Sequence, residues 1–420
     1  MHLKIAARQS PLSQAQVAEI IEEIADYQAF SFDLTLVETS GDKDQETSLR
    51  TMDKTNFFTK EIDQMILEEK CRIAIHSAKD LPNPLPEGLQ IVAITLGVDP
   101  SDSLVLREGD SLETLPKNAV IGTSSERREE MIRELLPNCK IKDIRGTIEK
   151  RLEKMENGEV DGVIIAEAAL IRLGLTHLNR IIIPGETVPY QGQLAIVARA
   201  DDEEISNFFE CIDIRPRTLY TGLEVPHGLE SHRVFHCPLI QIEPRTKDQV
   251  WDSLKDLETY THLIFTSKTT ARIFGNYADM REIGAQCVIA VGRSTAKYLR
   301  DLGIEVDVVA KEETAEGIVA ELKKMKLKEA HLFWPHSALS RSVITDFLRD
   351  NHIRFKECEF YDTHLRIPED PPELGELDEI IFTSPSTVDA FLQCYGELPT
   401  DLVLTPIGPV TAAKLLECTN

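Results

Sequence analysis

The sequence predicts an α/β protein made of two successive units, each divided into two domains or lobes. Short apolar runs repeatedly end in polar turns that precede helical periodicity, as expected where strands alternate with helices. The first half has two hinge-like segments, residues 96–100 and 189–193, so the chain crosses twice between its domains. Two crossings are typical of a clamshell that closes around a ligand. In the second half, Leu263–Ser267 recurs as Ile380–Ser384, which indicates an internal duplication.

Composition limits the classes of partner. The formal net charge of −25 argues against a nucleic-acid-binding protein, so any polyanionic ligand needs a local cluster of arginines. The eight cysteines show no C-x-x-C pair, and we expect neither a metal site nor a disulfide framework. With no signal pattern and no run of about 18 apolar residues, we expect a cytoplasmic protein that does not bind membranes.

The chain begins with a strand, Met1–Ala7, followed by a helix that starts at Ser10 and Pro11. Serine is a favoured N-cap and proline fits the first helical turn. Arg8 therefore precedes a helix N-terminus, where free N–H groups favour an anion. A second strand is predicted at 33–38 and a helix at 60–68.

The segment Ile73–Pro82 places a lysine and a carboxylate at the end of a buried strand. The apolar run stops at His76 and Ser77, and Lys79 and Asp80 follow. Ligands of α/β sheets bind at this end of the strands, and a carboxylate beside a cation stays ionised. Asp80 is thus predicted to hold a cation or move a proton, whereas a surface ion pair is the ordinary alternative.

Three later strands are each followed by arginines, and we interpret these arginines as lying at helix starts. They are Arg127 and Arg128 after Gly122–Ser125, Arg151 after Arg145–Thr147, and Arg172 after Val163–Ala166. A cation in the first turn opposes the helix dipole by about 0.3–1 kcal/mol, so Asp or Glu would suit stability better. The pattern favours an anion bound between these side chains. For any one arginine, a solvated surface charge explains the sequence equally well.

These motifs carry a family resemblance. His76–Pro82, Gly122–Arg128, Arg145–Gly146 with Arg151, Arg172–Leu175 and Gly192–Gln193 occur in this order. Together they resemble the porphobilinogen deaminase (hydroxymethylbilane synthase) family, from residue 1 to about 205. The resemblance implies that four porphobilinogen molecules are joined head to tail on a dipyrromethane cofactor, with loss of ammonia. It also implies that Asp80 is the catalytic carboxylate, and we assign the neighbouring Lys79 to the catalytic residues as well.

The resemblance further implies a binding site for polycarboxylate pyrroles. Arginines would clamp acetate and propionate groups, hydroxyl and lysine side chains would complete the cofactor cradle, and Phe58 would pack on a pyrrole. The clamp residues are Arg8, Arg127, Arg128, Arg145, Arg151 and Arg172, and the cradle residues are Ser10, Ser77, Lys79, Thr123, Ser124, Ser125, Gly146, Gly192 and Gln193.

Two features depart from the family pattern. Thr55 and Asn56 stand ahead of Phe57 and Phe58 where the family has a basic residue and glycine. The family's third domain, whose Gly-Gly-Cys loop holds the cofactor, has no counterpart here. Cys211 and Cys237 are the cysteines nearest to where that loop would follow, so they are the candidates for holding the cofactor. Cys237 lies in a strand pattern, where a cysteine is usually part of the core.

The second half resembles uroporphyrinogen-III synthase from about residue 216 to 420. In the two copies of the repeat, strands end in Thr266–Ser267 and Thr383–Ser384, and a further strand of each copy ends at Gly292 or Gly408. Hydroxyls and glycines at helix N-termini suit carboxylates, although helix capping explains each turn singly. The resemblance implies cyclisation of the linear tetrapyrrole with loss of water. Tyr361, in one of two links between lobes, is the candidate that assists departure of the hydroxyl.

The sequence thus predicts a two-domain, periplasmic-binding-protein-like clamshell followed by a two-lobed α/β synthase unit. We expect domains at 1–94 plus 188–211, 95–187, 214–244 plus 361–420, and 245–360, in a monomer. Two alternatives remain. The first half could be a non-catalytic tetrapyrrole-binding module, or the chain could be an anion-binding protein of the periplasmic type.

Overall fold

The computed structural model describes residues 1–43, 58–226, 229, 231–278, 283–284 and 286–419. The chain divides into two compact units. Unit 1 comprises Met1–Arg217 and Pro226–Arg233, and unit 2 comprises Thr218–Val225 and Val234–Asn420. Within the described ranges, no helix has the length and apolar character needed to span a bilayer.

Unit 1 alternates strands and helices. Its strands are β1 (His2–Arg8), β2 (Ser31–Val37), β3 (Ile73–Ser77), β4 (Leu89–Ile94), β5 (Asp102–Leu106), β6 (Val120–Gly122), β7 (Lys140–Lys142), β8 (Gly162–Ala166), β9 (Arg180–Ile183) and β10 (Leu194–Arg199). Its helices are α1 (Pro11–Ala25), α2 (Ser40–Lys43), α3 (Lys60–Leu67), α4 (Glu126–Leu135), α5 (Ile148–Glu156), α6 (Glu167–Arg172) and α7 (Glu203–Phe209).

Two five-stranded sheets organise unit 1, in the orders β2-β1-β3-β10-β4 and β7-β6-β8-β5-β9. β1 is parallel to β2 and β3, whereas β10 is antiparallel to β3 and β4. The central strands β3 and β10 are buried and almost wholly apolar, because helices cover both faces of the sheet. α1 begins as predicted: the Ser10 hydroxyl accepts a hydrogen bond from Ser13 N, with Pro11 in the first turn.

The chain passes from the first sheet to the second between β4 and β5, and returns between β9 and β10. The two crossings touch at Gly192. Its φ is +90°, and a Cβ there would lie 2.7 Å from the carbonyl oxygen of Asp99. Both the backbone conformation and the close approach require glycine.

The prediction that arginines replace acidic residues at helix starts is wrong. Glu126 and Glu129 lie in the first turn of α4 beside Arg127 and Arg128, and α5 and α6 also have an acidic residue in the first turn. Arg172 is the last residue of α6, where a cation complements the helix dipole. The dipole argument for a bound anion therefore fails, and the evidence for one must come from side-chain geometry.

β11 (Arg217–Tyr220) and β12 (Arg233–His236) begin at the boundary of the two units. The later strands are β13 (Ile240–Pro244), β14 (His262–Phe265), β15 (Cys287–Ala290), β16 (Val308–Val309), β17 (His331–Ser337), β18 (Arg354–Leu365), β19 (Glu379–Phe382) and β20 (Val403–Pro406). The helices are α8 (Lys247–Leu254), α9 (Lys268–Tyr277), α10 (Arg293–Asp301), α11 (Ala315–Leu322), α12 (Val343–Asp350), α13 (Pro385–Tyr395) and α14 (Pro409–Thr419).

Unit 2 has a four-stranded sheet, β12-β11-β19-β20, and a six-stranded sheet, β13-β18-β17-β14-β15-β16. β13 and β18 carry the chain between the sheets and pair with each other in antiparallel register. The predicted duplication has matching local structure, since Ser267 caps α9 and Ser384 caps α13 in the same way. Thr55, Asn56 and Phe57, which depart from the family pattern, lie outside the described residues.

Candidate functional site

Lys79 and Asp80 lie in a single 3₁₀ turn, Ala78–Asp80, directly after β3. Asp80 is exposed, whereas Lys79 is half-buried and its Nζ donates a hydrogen bond to Oε1 of Gln191, 3.2 Å away. Burial lowers the pKa of Lys79, Asp80 and Asp102 oppose this shift, and Arg128 and Arg127 add to it. The lysine therefore shares its electrostatic environment with two of the predicted clamp arginines.

Asp102, the first residue of β5, holds those two arginines in place. Its Oδ1 accepts hydrogen bonds from Arg128 Nη2 (2.6 Å) and Nε (3.0 Å), and its Oδ2 accepts one from Arg127 Nη2 at 2.5 Å. The side chain of Asp102 is 0% exposed. Burial works to raise its pKa, but the charge and hydrogen bonds of Arg128 and Arg127 outweigh burial and lower it. The carboxylate therefore stays ionised.

Gln191 joins this carboxylate to Lys79. Its Nε2 donates to Oδ1 of Asp102 (3.0 Å) and to the backbone oxygen of Pro100 (2.6 Å). Sequence reasoning chose the neighbouring Gly192 and Gln193 and missed both Gln191 and Asp102. A carboxylate at the start of the wholly buried Asp102–Leu106 strand was the available signal for Asp102, whereas nothing in the sequence separates Gln191 from Gln193.

A second group of cations surrounds Arg151. Burial and the nearby charges of Arg128, Arg145 and Arg8 together lower the pKa of Arg151 to about 10, against the opposing charge of Asp143. Arg151 Nε donates to the carbonyl oxygen of Gly146 at 2.9 Å. Within the described residues, no carboxylate lies at ion-pair distance from its guanidinium. The cluster is locally cationic although the whole protein carries a formal charge of −25.

Arg8 and Arg145 lie against the same aromatic ring. The guanidinium carbon of Arg8 is 4.7 Å from the centre of the Phe58 ring, and that of Arg145 is 5.9 Å from it. Arg8 also forms an ion pair with Asp42, and Arg145 Nη2 donates to the carbonyl oxygen of Gly41 at 3.4 Å. Arg8 of the first sheet and Arg145, which follows the second sheet's β7, thus meet at Phe58. Gly41 and Asp42 contact the same two guanidinium groups.

The predicted hydroxyl residues are engaged in local structure. Ser10, Ser125 and Thr147 cap helices, and Ser77 Oγ accepts a hydrogen bond from Gln16 Nε2 at 2.8 Å. Ser124 Oγ donates to the carbonyl oxygen of Ile144 (2.7 Å), and Thr123 Oγ1 accepts from Ser125 N (3.2 Å). These contacts fix the turn that carries Arg127 and Arg128.

Arg172 has a different setting from the other arginines. Its Nε and Nη2 form a bidentate pair with Glu19 at 2.6 and 2.8 Å, and Nη2 also donates to the carbonyl oxygen of Gly192 at 2.7 Å. The side chain is only 5% exposed. These contacts tie α6 to α1 and to the returning crossing. Gln193 is half-buried and packs beside Gly97.

Neither candidate cysteine has the surroundings of a reactive thiol. Cys211 is exposed, but it contacts Gln28 and Phe208 beyond the C-terminal end of α1. α1 is 15 residues long, about 22 Å by the usual rise per residue, so Cys211 lies far from Arg8. Cys237 packs against an apolar cluster of unit 2, and burial raises the pKa of its thiol.

In unit 2, Thr266 and Ser267 follow β14 and contact side chains of β17 and β18, which forms a second candidate site. The hydroxyl groups of Tyr361 and Ser267 are 3.3 Å apart, and Trp334 Nε1 donates to Oγ1 of Thr266 at 3.4 Å. At Gly292, a carboxylate of the chain already caps the helix, since Arg293 N donates to Oε1 of Glu313 at 3.0 Å. The sequence prediction missed Trp334 and Glu313.

The other copy of the repeat uses its hydroxyl groups internally. Thr383 N and Ser384 N both donate to Oγ1 of Thr387 at 3.2 Å, which completes a capping box at α13. Gly408 immediately precedes α14.

Comparison with known proteins identifies both halves. Residues 3–207 match the model of the porphobilinogen deaminase, dipyrromethane cofactor binding domain, and residues 229–419 match uroporphyrinogen-III synthase HemD. Porphobilinogen deaminase of Legionella pneumophila (strain Lens) is 39% identical over 207 residues, covering 48% of this chain and 67% of the relative. The probable porphobilinogen deaminase of Chlamydia muridarum is 40% identical over 197 residues, covering 47% of this chain and 81% of the relative.

A solved structure of mutant uroporphyrinogen III synthase from the bacterium Thermus thermophilus is 15% identical, with a TM-score of 0.37, and covers 49% of this chain and 89% of that chain. The two domain models match consecutive parts of the chain and leave only residues 208–228 between them. The chain belongs to the porphobilinogen deaminase family, and it carries a uroporphyrinogen-III synthase domain after its deaminase domain.

Proposed function

We propose that this protein carries out two successive steps of tetrapyrrole biosynthesis. The first half joins four porphobilinogen molecules into hydroxymethylbilane and releases ammonia. The second half closes the bilane to uroporphyrinogen III with loss of water. The proposal rests on the two domain matches together with the cationic cluster and the Lys79–Asp80 turn of unit 1.

One observation carries the proposal for the first half. Arg151 lies among Arg8, Arg128 and Arg145, so like charges have been gathered at a cost in stability. Such an arrangement is favourable once carboxylates bind, because guanidinium groups bind carboxylates in bidentate geometry. Porphobilinogen and its oligomers carry acetate and propionate groups that suit this cluster.

Asp80 is the group that we assign to the chemical step. Departure of ammonia leaves a cationic methylene on the incoming pyrrole, and the exposed Asp80 carboxylate stabilises that charge. The proton displaced from the attacked pyrrole carbon is accepted by the same carboxylate. Lys79 lies next to Asp80 in the same turn, and its hydrogen bond to Gln191 fixes the position of that turn.

The remaining residues of unit 1 either bind the ligand or support the residues that bind it. We assign carboxylate binding to Arg8, Arg128, Arg145 and Arg151, ring packing to Phe58, and support of the binding turns to Thr123, Ser124, Ser125, Gly146 and Gly192. Asp102 positions Arg127 and Arg128. Arg172 is better assigned to holding α6 against α1, because Glu19 pairs with its guanidinium in bidentate geometry.

The residues present fit a dipyrromethane cofactor, since its carboxylates would meet Arg128, Arg145 and Arg151. When bound, the dipyrromethane supplies the pyrrole carbon to which the first substrate is joined. For its attachment, the settings of Cys211 and Cys237 favour neither thiol. We propose that the arginine cluster contributes most of the binding free energy of the cofactor. An intact-mass measurement before and after denaturation decides whether a covalent bond to the protein also exists.

In the second half, we assign the phenol of Tyr361 to the departing hydroxyl. As a hydrogen-bond donor, it stabilises the oxygen that leaves as water, and Ser267 orients it from 3.3 Å away. The rest of the rate enhancement comes from binding the flexible bilane in one conformation, the one that closes with the last ring inverted. Thr266, Thr383, Ser384 and Gly408 are the proposed contacts for its carboxylates, whereas Glu313 already occupies the helix start at Gly292.

We propose the domain boundaries as 1–94 plus 188–211, 95–187, 214–244 plus 361–420 and 245–360. We also propose a monomer that works in the reducing cytoplasm, in keeping with its eight free cysteines. The binding-module alternative for the first half is less favoured, because Lys79 and Asp80 are both present at the end of β3.

The Asp80→Ala variant tests the assignment of the first half. We expect it to lower ammonia release and bilane formation from porphobilinogen by at least about 100-fold. Its melting temperature should match that of the unmodified protein, because the Asp80 side chain is exposed. Normal turnover by the folded variant would mean that another residue performs the chemistry.

A further inference from the structure

Arg8 already binds a carboxylate of its own chain. Its Nη2 pairs with Oδ1 of Asp42, and its Nε donates to Oδ2 of Asp42 at 3.3 Å. This is the two-point geometry with which arginine binds a free carboxylate. The pair is not sealed in the core, since the side chains of Arg8 and Asp42 are 28% and 17% exposed.

Asp42 is held in place from behind by Thr39. Thr39 N and Thr39 Oγ1 donate to Oδ2 of Asp42 at 3.1 and 2.8 Å, and Thr39 is buried. Burial works to raise the pKa of Asp42, but the hydrogen bonds and charge of Arg8 and the bonds from Thr39 lower it below its usual range. The carboxylate is therefore ionised and oriented toward Arg8.

The same short segment also contacts Arg145. The carbonyl oxygen of Gly41 accepts a hydrogen bond from Arg145 Nη2 at 3.4 Å, and Phe58 lies against both guanidinium groups. Arg8 belongs to the first sheet, and Arg145 follows β7 of the second. Oxygen atoms of Gly41 and Asp42 thus contact two arginines that we assign to substrate carboxylates.

From this arrangement we propose that Asp42 is a built-in competitor that occupies the Arg8 subsite until a substrate carboxylate displaces it. The inference rests on the proposed function and adds a determinant of specificity to it. Displacement exchanges one ion pair for another, so a ligand with a single carboxylate gains little at Arg8. A pyrrole with two carboxylates also reaches the cations around Arg151, and this second contact drives the exchange.

A purely structural role for Asp42 predicts the opposite effect of its removal. If Asp42 only positioned Arg8 for the ligand, neutralising it would misplace the guanidinium and weaken binding. If Asp42 competes with the ligand, neutralising it strengthens binding, because the ligand then gains the whole interaction with Arg8. The sign of the change in affinity therefore separates the two roles.

The experiment measures porphobilinogen binding by calorimetry on the full chain, with Asp80→Ala present throughout to prevent turnover. We expect Asp42→Asn to lower the dissociation constant about three- to tenfold, the range of a partly exposed ion pair. Asp33→Asn, which removes the same charge from an exposed pair with His2, should leave it unchanged. The gain from Asp42→Asn should vanish when Arg8→Gln is also present.

Thr39→Val provides a second route to the same readout, since it removes the hydroxyl that orients Asp42 but keeps the charge and the side-chain volume. It should also tighten binding. The inference is overturned if the folded Asp42→Asn variant binds porphobilinogen as the unmodified site does, or more weakly. If Asp42→Asn does not fold, the same result with Thr39→Val overturns it. If the unmodified chain releases no ammonia and binds no porphobilinogen, the proposed function itself fails, which is a separate result.

Discussion

The Lys79 ammonium donates a hydrogen bond to Gln191, 3.2 Å away, and this contact joins the end of β3 to the returning crossing between the two sheets of unit 1. Gln191 in turn donates to the buried carboxylate of Asp102, which holds Arg127 and Arg128. The Lys79–Asp80 turn and two arginines thus belong to one polar network. Networks of this kind are costly when one member is removed.

Asp102→Asn tests the importance of this network. Removing the charge leaves two guanidinium groups without their carboxylate, so we expect a loss of about 3–5 kcal/mol in the free energy of unfolding of the first half. We also expect KM for porphobilinogen to rise, because Arg127 and Arg128 lose their orientation. Denaturant unfolding and steady-state kinetics measure the two effects.

Asp161→Asn is the matched control. Asp161 pairs with Arg107 and accepts a hydrogen bond from Val120 N in the same sheet, but it contacts none of the assigned site residues. Asp161→Asn should lower stability without changing KM. Equal KM values for the Asp102→Asn variant and the unmodified protein would remove Asp102 from the binding machinery.

Arg151→Leu should separate stability from function. The pKa of Arg151 is lowered to about 10, first by burial and then by the neighbouring cations, so both disfavour its charge. Replacing it with an apolar side chain should leave the free energy of unfolding unchanged or raise it by about 1–3 kcal/mol. Porphobilinogen binding should weaken at least about tenfold.

Arg133→Leu controls for the general loss of an arginine, since Arg133 pairs with Glu129 on the surface of α4. This variant should be nearly neutral in both measurements. A clear loss of stability in Arg151→Leu would show that the cation serves folding rather than ligand binding.

Part of this arrangement follows from sequence patterns and part does not. The β1 strand, the Ser10 cap, the position of Asp80 at the end of β3 and the duplicated caps at Ser267 and Ser384 are local features, and local patterns predict them. Asp102 and Gln191 are far apart in sequence and meet only because the two crossings touch. A pairwise contact across a hinge leaves no periodic signal.

Arg172 shows the same limit in another form. Its motif placed it with the clamp arginines, but the pairing with Glu19 depends on how α6 packs against α1. The helix-dipole prediction was wrong for a related reason. Arg127 and Arg128 do lie in the first turn of α4, but Glu126 and Glu129 lie there as well and offset their charge. For these positions, three-dimensional neighbours decide the role.

His76 should make the first half sensitive to mild acid. Burial, with a smaller contribution from the charge of Arg8, lowers the pKa of His76 to about 4. The unfolded chain binds a proton on this histidine below about pH 6.5, whereas the folded protein does not until about pH 4. Stability should therefore fall as the pH drops from 6.5 to 4, by about 3 kcal/mol from this group.

The His76→Gln variant isolates that contribution. Unfolding measured from about pH 7 to about pH 4 should show a shallower loss of stability than in the unmodified protein. His177→Gln, an exposed histidine in the same unit, should not change the pH profile. Parallel profiles for His76→Gln and the unmodified protein would contradict the buried, neutral state of His76.

Tyr361→Phe should affect only the second half. It removes the phenolic hydroxyl that lies 3.3 Å from Ser267 Oγ but preserves the buried ring. We expect ammonia release from porphobilinogen to be normal, while formation of uroporphyrinogen III falls about 10- to 100-fold. Tyr298→Phe, a tyrosine on α10, serves as the control. An unchanged yield of the III isomer would remove Tyr361 from the mechanism.

The product formed from porphobilinogen by the purified full-length protein tests the central claim most directly. Separation of the oxidised products by isomer gives the answer in one measurement. If both halves are active, uroporphyrinogen III is the main product and ammonia is released in proportion to the porphobilinogen consumed. Uroporphyrinogen I alone would contradict the second activity, and the absence of any tetrapyrrole would contradict the first.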